Sequence, residues 1–170
     1  MSGGTETAYS NASAPTGLTT SVGFSATSQI VAADSADWFY GTGDFTMELW
    51  ERSDAIGVVM AQWTAASQGW SFLRTTFSGE RFQPVVRPDY SPIGSSAWPV
   101  VNGQWYHRVI MRGGGTFYAF IDGVLHSSQA SANPTTDSTS PLSFYGTSNP
   151  GEFPPNLSVG AAHHQGRRPL

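Results

Sequence analysis

The chain contains no cysteine and no lysine. The first absence excludes a disulfide framework, a thiolate metal site and a thiol nucleophile together. The second belongs to a wider shortage. Only 12% of the 170 residues are charged, about half the usual share, and all eight basic residues are arginines. Long solvated helices need Lys, Glu, Arg and Ala on their outer faces, so a helical bundle is disfavoured. Twelve acidic residues outweigh the eight basic ones and give a net charge of -4 with a pI near 5.4, which argues against nucleic acid as a partner. No apolar run reaches the roughly 18 residues of a membrane span, so no membrane insertion is expected. The start, Met1-Ser2-Gly3-Gly4-Thr5-Glu6-Thr7, has neither the basic segment nor the apolar stretch of a secretory signal. The expectation is synthesis and assembly in the cytoplasm of the producing cell, with release by lysis or within a particle.

What the sequence does have is 39% hydrophobic residues punctuated by 19 glycines and 11 prolines. This suits short strands joined by turns, and the length suits one core. Residues 1–20 are Gly, Ser, Thr, Ala and Asn with a single charge, and read as an extended arm that could dock on a neighbouring subunit. Residues 21–160 carry the strand pattern. In Asp44-Phe45-Thr46-Met47-Glu48-Leu49-Trp50-Glu51-Arg52, strict alternation sends Phe45, Met47 and Leu49 to one face, the core, and Thr46, Glu48 and Trp50 to the other. Further strands are predicted at 57–63, 70–75, 81–87, 105–112, 116–122, 123–126 and 141–145. Gly113-Gly114-Gly115 supplies the positive φ of a tight hairpin, and Asp122-Gly123 is a two-residue turn signal, so residues 105–126 are predicted to form a three-stranded meander. Stacked against the Phe45 strand, it gives a two-sheet antiparallel β-sandwich whose loops carry function.

Three passages resemble one family. Residues 28–38 followed by Gly43-Asp44-Phe45-Thr46-Met47-Glu48-Leu49-Trp50, then Asn102-Gly103-Gln104-Trp105-Tyr106-His107-Arg108-Val109, then Tyr118-Ala119-Phe120-Ile121-Asp122-Gly123-Val124, resemble in order the laminin G-like, concanavalin A-like jelly-roll superfamily. The wording around Ala33-Asp34-Ser35-Ala36-Asp37-Trp38 is most similar to versions in bacteriophage structural proteins. The resemblance implies an all-β sandwich of jelly-roll type, a scaffold that hosts lectins, glucanases and virion parts. Members commonly close with one more strand after the "L-x-I-G" strand. Here Leu157-Ser158-Val159-Gly160 leads only into residues 161–170, so that strand is expected to be absent and an open sheet edge to favour assembly.

Candidate sites follow from chemistry. Glucanases of this fold set carboxylates along one strand as "E-x-D-x-x-E", and the nearest equivalent is Glu48-Leu49-Trp50-Glu51. Three positions apart on a strand, Glu48 and Glu51 face opposite ways, so both are expected to be solvated and non-catalytic. His107 is expected to pack within the sheet and His126 to face solvent. The resemblance implies rim Ca²⁺ in some relatives; Asp34, Asp37, Asp44 and Asp54 lie in or beside loops, with Asp34 and Asp37 the first candidates as ligands. A sugar needs an aromatic face with a polar rim, and the Pro-stiffened stretch 87–99, with Tyr90 and Trp98 beside Arg87 and Asp89, is the candidate glycan surface. The expected function is a non-enzymatic structural or display module of a phage-like virion, a head decoration or fibre subunit partnered by other virion proteins or copies of itself. Adhesion to a cell-surface glycan could accompany it. The alternative is a free, extracellular carbohydrate-binding module.

Overall fold

The computed structural model describes residues 9–10, 21–22, 30–52, 57–64, 68–75, 81–86, 100–144 and 160–161. The strands are β1 (Tyr9–Ser10), β2 (Ser21–Val22), β3 (Ile30–Ala32), β4 (Phe45–Arg52), β5 (Gly57–Thr64), β6 (Gln68–Thr75), β7 (Arg81–Val86), β8 (Trp105–Gly113), β9 (Thr116–Ile121), β10 (Val124–Ala130), β11 (Leu142–Phe144) and β12 (Gly160–Ala161). A 3₁₀ turn, Ala36–Trp38, lies between β3 and β4, with the Ser35 side chain accepting from the Asp37 backbone N–H as its cap.

Two antiparallel sheets result. One has the order β1-β2-β12-β4-β8-β9-β10, the other β3-β11-β5-β6-β7. The predicted meander is present as β8-β9-β10, and its turns form where glycine was expected to allow them. Gly114 and Gly115 have φ of 57° and 76°, while Asp122 and Gly123 have 49° and 78°. The strand predicted at 123–126 runs on to Ala130. Beside β4, the short β12 pairs with Glu51 and Trp50 and also with Val22 of β2. Gly160 and Ala161 thus flank β4 where the chain was expected to pass into a tail.

Alternation along β4 holds, with Phe45, Met47 and Leu49 buried. They meet Tyr106, Ile110 and Phe117 of their own sheet and Val59, Met60, Trp70, Phe72, Val86 and Leu142 of the other. This is the main core, closed at one end by Tyr40, whose ring stacks on Phe45 with centroids 4.3 Å apart. In the loop before β4, Tyr40 is buried and Trp38 packs on the core, but Phe39 is exposed. A second, smaller cluster of buried residues joins Val58, Ala61 and Trp63 of β5.

One expectation is overturned inside this core. Glu51 continues the inward series of β4 and is fully buried, not solvated. Its partner is Arg108, which lies on the inward face of β8 with Tyr106, Ile110 and Arg112. The reason is geometric: two positions beyond Leu49, the side chain points to the core whatever its polarity, and only a buried cation makes that tolerable. Arg112 does a different job. Its guanidinium donates to the Gly41 carbonyl at 2.9 Å and the Ser131 carbonyl at 3.0 Å, tying two loops to the sheet end, and sits 5.1 Å from the Phe117 ring centre.

Candidate functional site

The outward face of the seven-stranded sheet carries unusually large side chains for a solvent face. β4 contributes Thr46, Glu48 and Trp50, and register sets them opposite Met111, Val109 and His107 of β8. β9 then sets Phe120 beside Val109 and Tyr118 beside Met111. All are half-buried, so ring and methyl surface stays accessible on a face that a simple sandwich would leave to short polar residues.

Toward the end of this face nearest the β9–β10 turn, the Trp50 and His107 rings stack with centroids 4.9 Å apart and planes 27° from parallel. The His107 Nε2 lies 3.3 Å from the Glu48 Oε2, with both side chains about one quarter exposed. On the far side of His107, the turn aspartate Asp122 accepts the His107 backbone N–H at 2.8 Å and returns its own N–H to the His107 carbonyl. The strand carrying the imidazole is therefore pinned on both flanks, and the ring itself is held between an indole and a carboxylate. Rigid aromatic surface edged by a carboxylate acceptor and an imidazole able to donate or accept is what the apolar face and hydroxyl rim of a sugar require.

Other candidate residues are placed differently. Asp34 accepts from the buried Gln62 amide at 2.8 Å, and the same Nε2 reaches the Ser138 carbonyl at 3.0 Å, so this carboxylate fastens the loop before the 3₁₀ turn to β5. Asp37 accepts from the Ser35 hydroxyl at 3.1 Å. Among the described residues no group of three or more His, Cys, Asp or Glu side chains is arranged to hold a metal ion. Asp44 accepts from the Gly114 N–H across the first turn of the meander. Arg87, Asp89, Tyr90 and Trp98, and with them the whole proposed glycan stretch, lie outside the described residues, as does Asp54. His126, expected in solvent, is half-buried on β10, and that burial holds its imidazole below the ordinary value.

The Trp50–His107–Glu48 arrangement was only half visible in the sequence. Alternation assigns Trp50 and Glu48 to the outward face of β4, but His107 joins them only through the β4–β8 register. A usable signal existed all the same: residues 105–111 and 116–121 are apolar or aromatic at both parities, and the surplus must emerge on the outer face.

Among the described residues no helix is long and apolar enough to cross a membrane. No curated protein matches the chain in sequence. Several solved structures share its fold. Domain 4 of an extracellular arabinanase from Geobacillus stearothermophilus, solved with arabinotriose, superposes with a TM-score of 0.67 at 15% identity, over 96% of this chain and 78% of that one. The binding domain of Paraclostridial Mosquitocidal Protein 1 gives 0.68 at 12% identity, over 98% of this chain but 44% of its own. The enzymatically active domain of tailspike protein 2 from bacteriophage CBA120 gives 0.54 at 18% identity, over 92% of this chain and 27% of the tailspike. At such identities these likenesses concern the fold, and the chain spans under half the length of the last two. The sequence profile of the concanavalin A-like lectin/glucanases superfamily matches residues 24–157, and the chain belongs to that superfamily.

Proposed function

We propose that this domain is a non-catalytic recognition and display module that holds a glycan on the outer face of its seven-stranded sheet, at Trp50, His107 and Glu48. The observation that carries the reading is the Trp50–His107 stack with Glu48 at its edge, a preorganised aromatic surface on the solvent side of a sheet. An arabinanase domain solved with arabinotriose and a toxin binding domain on the same fold are consistent with it. The setting we propose is a phage-like particle, as a decoration or fibre subunit, and the likeness to a tailspike domain supports that choice. Hydrolysis is not part of the reading. It needs two carboxylates flanking one bond, and Glu48 and Glu51 stand on opposite faces of β4, with Glu51 committed to Arg108.

The test is binding of the full chain to a panel of plant, microbial and cell-surface polysaccharides, followed by titration of the best one. Trp50→Ala and His107→Ala should each weaken binding about tenfold or more, in line with roughly 1–3 kcal/mol for a stacked contact. Full binding by both variants, with loss in a Tyr90→Ala/Trp98→Ala variant, would move the site to residues 87–99. Glycan turnover abolished by Glu48→Gln would make the protein a hydrolase. The free-module alternative is separated by sedimentation of native material: stoichiometric multi-copy recovery with particles supports the virion setting, and recovery only as free protein supports the alternative.

A further inference from the structure

Two dipeptides of this chain carry the same latent chemistry, and the fold treats them differently. In Asn102-Gly103 and Asp122-Gly123 a glycine follows the side-chain carbonyl, so the backbone nitrogen that could attack it has no β-carbon to shield it. The other four asparagines lack this opening. Asn133 and Asn149 precede prolines, whose nitrogen carries no proton, while Asn11 and Asn156 precede Ala12 and Leu157. Asp122 is held shut by its bonds. Its Oδ1 accepts the His107 N–H at 2.8 Å, its own N–H donates to the His107 carbonyl at 2.8 Å, and its backbone sits at φ 49°. An ionised carboxylate is in any case a poor target for a nucleophile. Asn102 stands in the opposite setting. Residues 101–104 form an exposed turn, closed by the Gln104 N–H on the Val101 carbonyl at 3.3 Å, with Gly103 at φ 74°. Among the described residues, nothing accepts the Gly103 N–H.

We propose that Asn102 is a self-modifying site that converts to aspartate and isoaspartate without an enzyme. The Gly103 nitrogen bonds to the Asn102 Cγ, the Cγ–Nδ2 bond breaks, and the proton of the attacking nitrogen leaves with the amide as ammonia. One water then opens the five-membered imide. Opening on the Cγ side leaves an ordinary aspartyl peptide; opening at the main-chain carbonyl leaves an isoaspartyl link, which routes the backbone through the side chain and lengthens it by one carbon. Glycine makes the approach feasible, since the Asn102–Gly103 peptide plane can rotate to bring its nitrogen under Cγ. Asn102 keeps a contact of its own in the fold, which ring closure has to break or carry along. The consequences fall on β8. Val101, the first residue of the turn, donates its N–H to the hydroxyl of the buried Tyr106 at 2.9 Å, and the chain then enters the strand that carries His107. Either product adds one negative charge to a chain already at -4, and the isoaspartyl form also stretches the turn against that anchor. The modification itself does not rest on the glycan reading.

Peptide mapping by mass spectrometry reads the proposal directly. Cleavage at arginine leaves Asn102 as the sole asparagine of the peptide ending at Arg108, and cuts at Arg108 and Arg112 separate it from Asp122. The full chain, held folded in mildly alkaline buffer, should convert this peptide into two products, each heavier by about 1 Da, while Asp122 and the other asparagines react about tenfold more slowly or less. In urea, Asp122-Gly123 should begin to isomerise too, because the His107 bonds that hold it are gone. Asn102→Gln should abolish the change, since attack would then have to close a six-membered ring. An Asn102 that survives in the folded chain while the denatured chain converts overturns the proposal, and so does an Asp122 that isomerises as fast as Asn102 reacts in the folded chain. Aspartate as the sole product also counts against it, since direct hydrolysis of the amide gives no isoaspartate. Melting curves test the effect on β8: the isoaspartyl fraction should unfold at a lower temperature than Asn102→Asp, and equal melting would remove that consequence.

Discussion

Arg108 and Glu51, 57 positions apart in the chain, meet inside the sandwich, where Nη1 of the arginine donates to Oε2 of the glutamate. The guanidinium also lies 5.6 Å from the centre of the Phe72 ring, so a cation, a carboxylate and an aromatic face share one dry site. With exposures of 2% and 0%, neither charge has water to fall back on.

Removing one partner should therefore cost far more than a surface ion pair. Glu51→Ala and Arg108→Ala are each expected to lower unfolding free energy by about 3–5 kcal/mol, while the volume-matched Glu51→Leu/Arg108→Met should be close to neutral. Urea titrations of the three variants check this. Single losses below about 1 kcal/mol would mean that the pair is solvated.

Gly69 marks a second point of no tolerance. Its φ is +99°, and a β-carbon there would lie 1.9 Å from the Gln62 carbonyl oxygen, a backbone atom of the paired strand that cannot move alone. Gly69→Ala should cost about 3 kcal/mol or more, from left-handed strain plus overpacking. Gly114→Ala, at φ +57° with nothing within 4 Å, should cost only about 1–2 kcal/mol. Melting curves of both variants decide the comparison, and equal losses would contradict the close approach.

Two tryptophans should separate stability from recognition. Trp70 is 1% exposed, its indole N–H reaching the Trp38 carbonyl at 3.3 Å, and Trp70→Ala should cost about 3–5 kcal/mol. Trp50 is half-buried on the outer face, so Trp50→Ala should cost about 1 kcal/mol or less while removing sugar binding. Denaturation and binding measured on the same preparations test the split; a large stability loss at Trp50 would make it a core residue.

His126 should make stability fall with acid. Its folded-state pKa is lowered by burial, so between the folded and unfolded values the unfolded chain binds more protons, and stability rises with pH. The contribution is fully present above the ordinary imidazole value of about 6.5 and is lost as pH falls through the folded one. Melting temperatures at pH 8 and pH 5 should differ less in His126→Gln than in the wild type. An unchanged difference would place the acid sensitivity elsewhere.

The chain's architecture was legible because its signals are local. Alternation from Phe45 to Leu49 chooses the inner face two residues at a time, and Gly114-Gly115 and Asp122-Gly123 set the meander because positive φ is a property of the turn residues themselves. Alternation also assigned Trp50 to the outside. It could not decide what Glu51 does on the inside, since a carboxylate can be buried only if a cation arrives from elsewhere, and Arg108 is delivered by the β4–β8 register. The same register decides the candidate site, setting His107 opposite Trp50 and within reach of Glu48. Composition and periodicity determined that this chain would be a neutral, turn-rich β-sandwich. Which charges pair in its core, and which rings stand together on its surface, only the tertiary structure decided, because those contacts join residues more than fifty positions apart.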